Sequence, residues 1–286
     1  MDRKKLLFES YNKAIEKGYD RLFNDTKPEN ILKIKEGDAS AFLDEELKEW
    51  ESTELDILGG ISPEKYFDSI DDLNNLIDMF KTASKICDVD VPEVLVRKLE
   101  YHGENALDKL IELASSPSLI KDEEEKLISL MAIRFLGRLK YEKAVSTLIE
   151  LLYDVDFKNE VIIEEINGAL VNIGGACTTK IVSILRSTKE IGNLEEYLLY
   201  TLVQIGINTC EKSNYEDIYS CIKDTFIEMD NKIIGAICIG DLGDKRAITF
   251  LRGYVEKNMD SIDYDTFCEI KAAVHKLGGN MDDINF

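Results

Sequence analysis

Two pairs of adjacent carboxylates, Glu164-Glu165 and Glu195-Glu196, stand near the starts of two stretches with helical spacing, and Tyr197 and Tyr200 follow the second pair. Carboxylates beside aromatic rings suit a cation. The acids make charge-assisted hydrogen bonds to a guanidinium or ammonium, and the ring faces attract it. Paired carboxylates also serve general acid–base catalysis. Two structural roles compete with these: acids near a helix N-terminus stabilise its dipole without any partner, and tyrosines at helical spacing can belong to an inter-helix core. The six residues are read here as partner-binding rather than catalytic.

Other reactive residue types are sparse or badly spaced. His102 and His275 are the only histidines. His275, inside "KAAVHKLGG", reads as a partly buried helix residue, and His102, beside Gly103, as a C-terminal helix residue favourable to the dipole. The six cysteines (Cys87, Cys177, Cys210, Cys221, Cys238 and Cys268) form no C-x-x-C pair and lack a histidine at ligand spacing. They read as buried, reduced thiols rather than zinc ligands or a disulfide framework. "DVD" at 88–90 and 154–156 and "DYD" at 263–265 lack the glycine and closing glutamate of a calcium loop. "KDEEEK" (121–126) reads as a solvated helix start. There is no P-loop and no H-E-x-x-H, and "GDLGD" (240–244) follows a helical pattern, which excludes a dinucleotide fingerprint. No catalytic residue, metal or cofactor is expected.

The net charge of −21 narrows the partners. Such a surface repels nucleic-acid phosphates and anionic membranes and favours a basic partner. "MDRKKLLFES" has too short an apolar core for a secretory signal, and "IIGAICIG" (233–240) is far short of a membrane span. A cytoplasmic protein is expected.

The elements that position these residues repeat. "FLG" ends at Gly137, "NIG" at Gly174, "QIG" at Gly206, "DLG" at Gly243 and "KLG" at Gly278, at intervals of 37, 32, 37 and 35 residues. One residue before each glycine stands Leu136, Ile173, Ile205, Leu242 or Leu277. Four before stands Ile133, Leu170, Leu202, Ile239 or Val274. Five before stands a small residue: Ala132, Ala169, Thr201, Cys238 or Ala273. The apolar columns share a helical face, the small column lets a neighbouring helix approach, and the glycine suits a left-handed C-terminal cap. A second apolar stripe follows each glycine, as in Ala144-Val145, Leu148 and Leu151-Leu152. Each unit is therefore a helix, a polar turn and a second helix ending at glycine; such pairs bury their stripes by stacking.

The unit "AVSTLIELLYDVDFKNEVIIEEINGALVNIGG" (144–175) resembles the short HEAT-like repeats of the phycobilisome-lyase kind, and the resemblance covers about residues 104–279. It departs at Val161-Ile162, where such units often carry Val-Arg, so an Asp–Arg ladder between repeats is not expected. The resemblance implies an α-solenoid, a superhelix of stacked antiparallel hairpins whose second helices line the concave side. Helices stacked ~8–10 Å apart would there align Glu164, Glu165, Glu195, Glu196, Tyr197 and Tyr200 as one stripe.

Upstream, "EVLVRKLEYHG" (93–103) reads as an atypical capping repeat, and 61–87 as a helical segment with Ser62 as N-cap, Pro63 at its first position and Ile61 stapled against Tyr66. Gly59-Gly60 breaks the chain, and residues 4–23 and 40–53 are amphipathic. The expected organisation is all-α: an N-terminal helical region (1–60), a helical segment with the capping repeat (61–103), an array of about five hairpins (104–279) and a C-terminal tail (280–286). The function expected is non-enzymatic binding of a protein or peptide, with a basic partner favoured. Two alternatives are an inhibitor or immunity-type protein neutralising a basic target, and a HEAT-like lyase acting on a chromophore or prosthetic group.

Overall fold

The computed structural model describes residues 2–25, 36–115, 122–155, 159–208 and 212–286. Among them the secondary structure is helical, with no strand beyond an isolated bridge between Leu55 and Ile61. The chain forms two compact units, Met1–Ala132 and Ile133–Phe286.

The first unit begins with α1 (Arg3–Asp25), whose buried Leu7, Phe8, Tyr11, Ile15 and Leu22 follow the helical period. It packs on α2 (Glu36–Ser52), where the Trp50 indole donates to Ser10 Oγ at 3.0 Å and meets the Tyr11 ring edge-on. Glu46, 2% exposed, is held between Lys17 at 2.7 Å and Arg21, which keep its carboxyl below the ordinary range. A 3-10 turn (Asp56–Leu58) leads through Gly59 and Gly60, both at positive φ, to α3 (Pro63–Asp68). Ser62 caps α3 as expected, accepting from the Lys65 N–H. Ile61 does not close as a staple: it is exposed, and its carbonyl accepts from the Leu55 N–H. The segment 61–87 is two helices rather than one. Asp72 accepts from the Asn74 N–H and starts α4 (Leu73–Ile86) afresh. Then come α5 (Glu93–Tyr101), α6 (Glu104–Ala114) and the start of α7 (Glu123–Arg138), which opens with the acids of "KDEEEK" and passes into the second unit at Ile133. The N-terminal helices belong to this unit: Asn12 Nδ2 donates to the Ile86 carbonyl at 2.8 Å, and Lys4 pairs with Asp78.

In the second unit α8 (Ala144–Asp154) pairs with α9 (Glu160–Ile173), α10 (Gly175–Ser187) with α11 (Asn193–Asn208), α12 (Lys212–Glu228) with α13 (Lys232–Leu242), and α14 (Ala247–Asn258) with α15 (Tyr264–Lys276). The second helices stack in chain order, α9 on α11, α11 on α13 and α13 on α15, and α10 packs on α12 in the same way. All fifteen residues of the three repeat columns are buried. The glycines, however, do two different jobs. Gly174, Gly243 and Gly278 have positive φ and end their helices. Gly137 and Gly206 lie inside α7 and α11 with ordinary helical φ. At the first hinge the left-handed residue is Lys140 (φ 53), three places later. At Gly137 the need is space: a β-carbon there would lie 2.4 Å from Ala169 Cα.

Polar rungs join consecutive second helices. Arg134 pairs with Glu165, Thr201 Oγ1 donates to Asn167 Oδ1 at 2.9 Å, Asn231 Nδ2 donates to Glu196 Oε1 at 2.9 Å, and Lys276 pairs with Asp241 at 2.6 Å. Beyond α15, Asp282 and Asp283 reach back to Lys271 and Arg252, and Phe286 meets the Tyr264 and Phe267 rings.

No single helix among the described residues is long and apolar enough to cross a membrane; α9 and α10 pass together only as a pair bent by 119°.

Candidate functional site

Three second helices, α9, α11 and α13, line a cleft of about 640 Å³, within the ~300–1,000 Å³ usual for ligand sites. Glu164 and Asn167 come from α9, Asn193, Glu196, Tyr197 and Tyr200 from α11, and Ile234, Ile237 and Cys238 from α13. The hinge register explains the meeting. Glu164 and Glu196 each stand ten residues before their glycine, Tyr197 and Ile234 nine before, and Tyr200 and Ile237 six before. Stacked helices in one rotational phase bring such positions side by side.

Four of the six sequence-predicted residues are thus gathered: Glu164, Glu196, Tyr197 and Tyr200. The other two are not part of the lining. Glu165 turns to Arg134, with its Oε2 3.2 Å from Arg134 Nε. Glu195 folds back on its own helix start, where its Oε2 accepts from the Gly192 N–H at 3.0 Å, the local role open to an acid at a helix N-terminus. Each acidic pair therefore gives one carboxylate to the cleft and one to the scaffold.

The two cleft carboxylates differ in how firmly they are held. Asn231 fixes Glu196: its amide donates to Oε1, while its own oxygen accepts from the Ile234 N–H and caps α13. Among the described residues Glu196 Oε2 has no hydrogen-bond or ion-pair partner, and Glu164 has none at either oxygen. Tyr197 is half-buried and Tyr200 is 47% exposed. Among the described residues neither lysine, arginine nor histidine lines the cleft. On the apolar side Cys238 is buried, and burial together with the nearby Asp241 and Glu196 pushes its thiol up to about 12, where it stays protonated and unreactive.

Sequence reasoning missed Asn167, Asn193, Ile234, Ile237 and Cys238 as lining, and Asn231 as the residue that holds Glu196. Ile234 and Ile237 were legible as register partners of Tyr197 and Tyr200. Asn231 sits just outside α13 and carries no such signal.

The remaining reactive residues do not form a second site with the chemistry they suggested. His275 is exposed, not partly buried, and stands 3.9 Å from Asp282. His102 follows α5 as its C-cap, with Nε2 buried and unpartnered. Cys177, Cys221 and Cys238 are buried free thiols; Cys87, just past the end of α4, is half-buried, and Cys268, off the buried stripe of α15, is exposed. Cys210 lies outside the described residues. Asp263 of "DYD" caps α15 by accepting from the Thr266 N–H, the cap chemistry expected of that triplet; Asp154 of the second "DVD" is the last residue of α8, and Asp156 lies outside the described residues.

No family model matches the chain, and no curated protein matches it. A solved structure described as the crystal structure of an engineered protein, from the Northeast Structural Genomics Consortium, is similar over 97% of this chain and 89% of its own, at 16% identity and a TM-score of 0.35.

Proposed function

We propose that the chain is a non-enzymatic binding protein, built on HEAT-like repeats, that holds a protein or peptide segment in the cleft of α9, α11 and α13. One observation carries this reading: among the described residues Glu164 and one oxygen of Glu196 stand without partners beside two tyrosines and an apolar wall. Unpartnered acids among aromatic rings are groups waiting for hydrogen-bond donors, and their charge agrees with a basic partner, as does the net charge of −21. Neutralisation of a basic protein would be one use of the same surface. Cytoplasmic placement fits free cysteines, since thiols persist in a reducing compartment.

Selection of displayed random peptides on the immobilised chain tests the reading. Peptides should be enriched, lose binding to the Glu164→Lys/Glu196→Lys variant, and release at 1 M salt, where the Debye length is about 3 Å. Glu165 is left intact in this variant because it pairs with Arg134. Failure to enrich any peptide that depends on the cleft would overturn the proposal. A coloured group that co-purifies and is lost with Tyr200→Phe would favour lyase-type chemistry instead.

A further inference from the structure

The composition of the cleft goes further than a general preference for positive charge. Resting on the peptide-binding reading, we propose that the cleft selects an arginine side chain within an extended segment, with an aliphatic neighbour of that arginine seated on Ile234 and Ile237.

Charge complementarity sets the sign of the occupant: among the described residues two carboxylates and no cation line the space. Arginine is distinguished from lysine by shape. Glu164 and Glu196 come from different helices and leave at least three carboxylate oxygens unpartnered between them. A guanidinium presents five N–H donors in a rigid plane and can reach several acceptors together, whereas an ammonium is a compact, strongly hydrated point charge. Tyr200, 47% exposed at the cleft, adds an aromatic ring, on which a weakly hydrated planar cation stacks better than an ammonium does. Arg246 shows this arrangement elsewhere in the same unit: its guanidinium lies 4.3 Å from the Tyr219 ring centroid while pairing with Asp244 and Glu216.

The apolar lining requires the second half of the occupant. Ile234 and Ile237 are half-buried rather than sealed, and Cys238 beside them is protonated and apolar in behaviour. A lone guanidinium compound would fill the acidic side and leave this wall wet. A chain segment carries an arginine and an apolar side chain together, and the volume of about 640 Å³ admits both.

The probe is a fluorescein-labelled peptide, Gly-Ser-Leu-Arg-Leu-Ser-Gly, titrated with the full chain by anisotropy, beside versions with lysine, citrulline or alanine for the arginine and glycine for both leucines. The arginine peptide should bind about tenfold more tightly than the lysine one, and about a hundredfold more tightly than the citrulline or alanine ones. Removal of the leucines should cost about tenfold. Glu164→Gln/Glu196→Gln, with an unchanged far-ultraviolet circular dichroism spectrum, should erase the preference for arginine. Ile237→Ser should erase the dependence on leucine and leave the arginine preference. Equal binding of lysine or citrulline, an arginine preference that survives the double substitution, or no binding of the arginine peptide would each overturn the inference. Peptide selection then separates the two readings. Cleft-dependent binders without arginine leave the binding function standing and this specificity refuted; no binders at all refute both.

Discussion

The hinges at Gly137 and Gly174 share a sequence signature and differ in physical purpose. Gly174 (φ 76, ψ −130) turns the chain directly from α9 into α10 and has no close neighbour where a β-carbon would stand. Gly137 has helical φ, and its value lies in the missing side chain, because α9 passes against it at Ala169. One glycine is kept for the conformations it allows, the other for the atoms it lacks. A repeat can therefore preserve its glycine while moving its helix end: α7 runs on to Arg138 and turns at Lys140.

The largest test of this contrast is Gly137→Ala. Alanine gains about 1 kcal/mol of helix propensity, but a β-carbon 2.4 Å from a backbone atom forces two helices apart, and a net loss of about 2–3 kcal/mol is expected in denaturant melts. The small column facing it predicts the same for Ala169→Leu, through overpacking of roughly 1–3 kcal/mol. An unchanged midpoint for both would return Gly137 to the role of a cap.

Gly174→Ala should cost about 2 kcal/mol through backbone strain alone, and Gly174→Asn should not recover it, because ψ −130 lies outside the region asparagine tolerates. Gly243, at φ 80 and ψ 10, is the control: alanine costs about 1 kcal/mol there, and asparagine restores most of it. Equal losses at the two sites with asparagine would erase the distinction between their conformations.

The smallest effects lie where sequence alone points elsewhere. Gly206→Ala should cost about 1 kcal/mol net, since Leu242 Cδ1, 2.7 Å from the new β-carbon, can swing aside while Ile218 Cγ2, on a stiff β-branched carbon 3.0 Å away, yields less, and helix propensity offsets part of the crowding. Lys140→Gly should raise stability by about 1 kcal/mol by relieving a left-handed lysine. A lower midpoint for Lys140→Gly would show that the turn is not made there.

The hairpin phase was legible because the columns before each glycine repeat, and burial of a helical stripe follows from its spacing. The division of labour between Gly137 and Gly174 was not, because a glycine is the same letter whether φ or volume is at stake. Of the cleft, Glu164, Glu196, Tyr197 and Tyr200 were readable as a group. Adjacent helical residues differ by about 100° in direction, so Glu164 and Glu165 could not both face one side, and the choice between them fell to Arg134, a residue from another helix. α13 was hidden for a different reason: it is apolar all round, which marks a buried helix but does not say which residues meet a cavity. The break between α3 and α4 was missed because Phe67, Ile70, Leu73 and Leu76 keep a helical rhythm across it, while Asp72 caps a new helix in the middle of that rhythm.

Among the described residues the polar rungs join each second helix to the next, as Thr201 to Asn167 and Asn231 to Glu196 do. In such an array stability is a sum of units and nearest-neighbour terms, and local opening can begin at any junction. The cleft breaks that pattern, because α9 and α13 both line it. An occupant that touches both adds a next-nearest-neighbour term. At a hundred times its dissociation constant it contributes about 2.7 kcal/mol that is available only while three hairpins are folded together. Occupancy would fuse those hairpins into one cooperative block, with amide exchange slowed from α9 to α13 even where no ligand atom reaches.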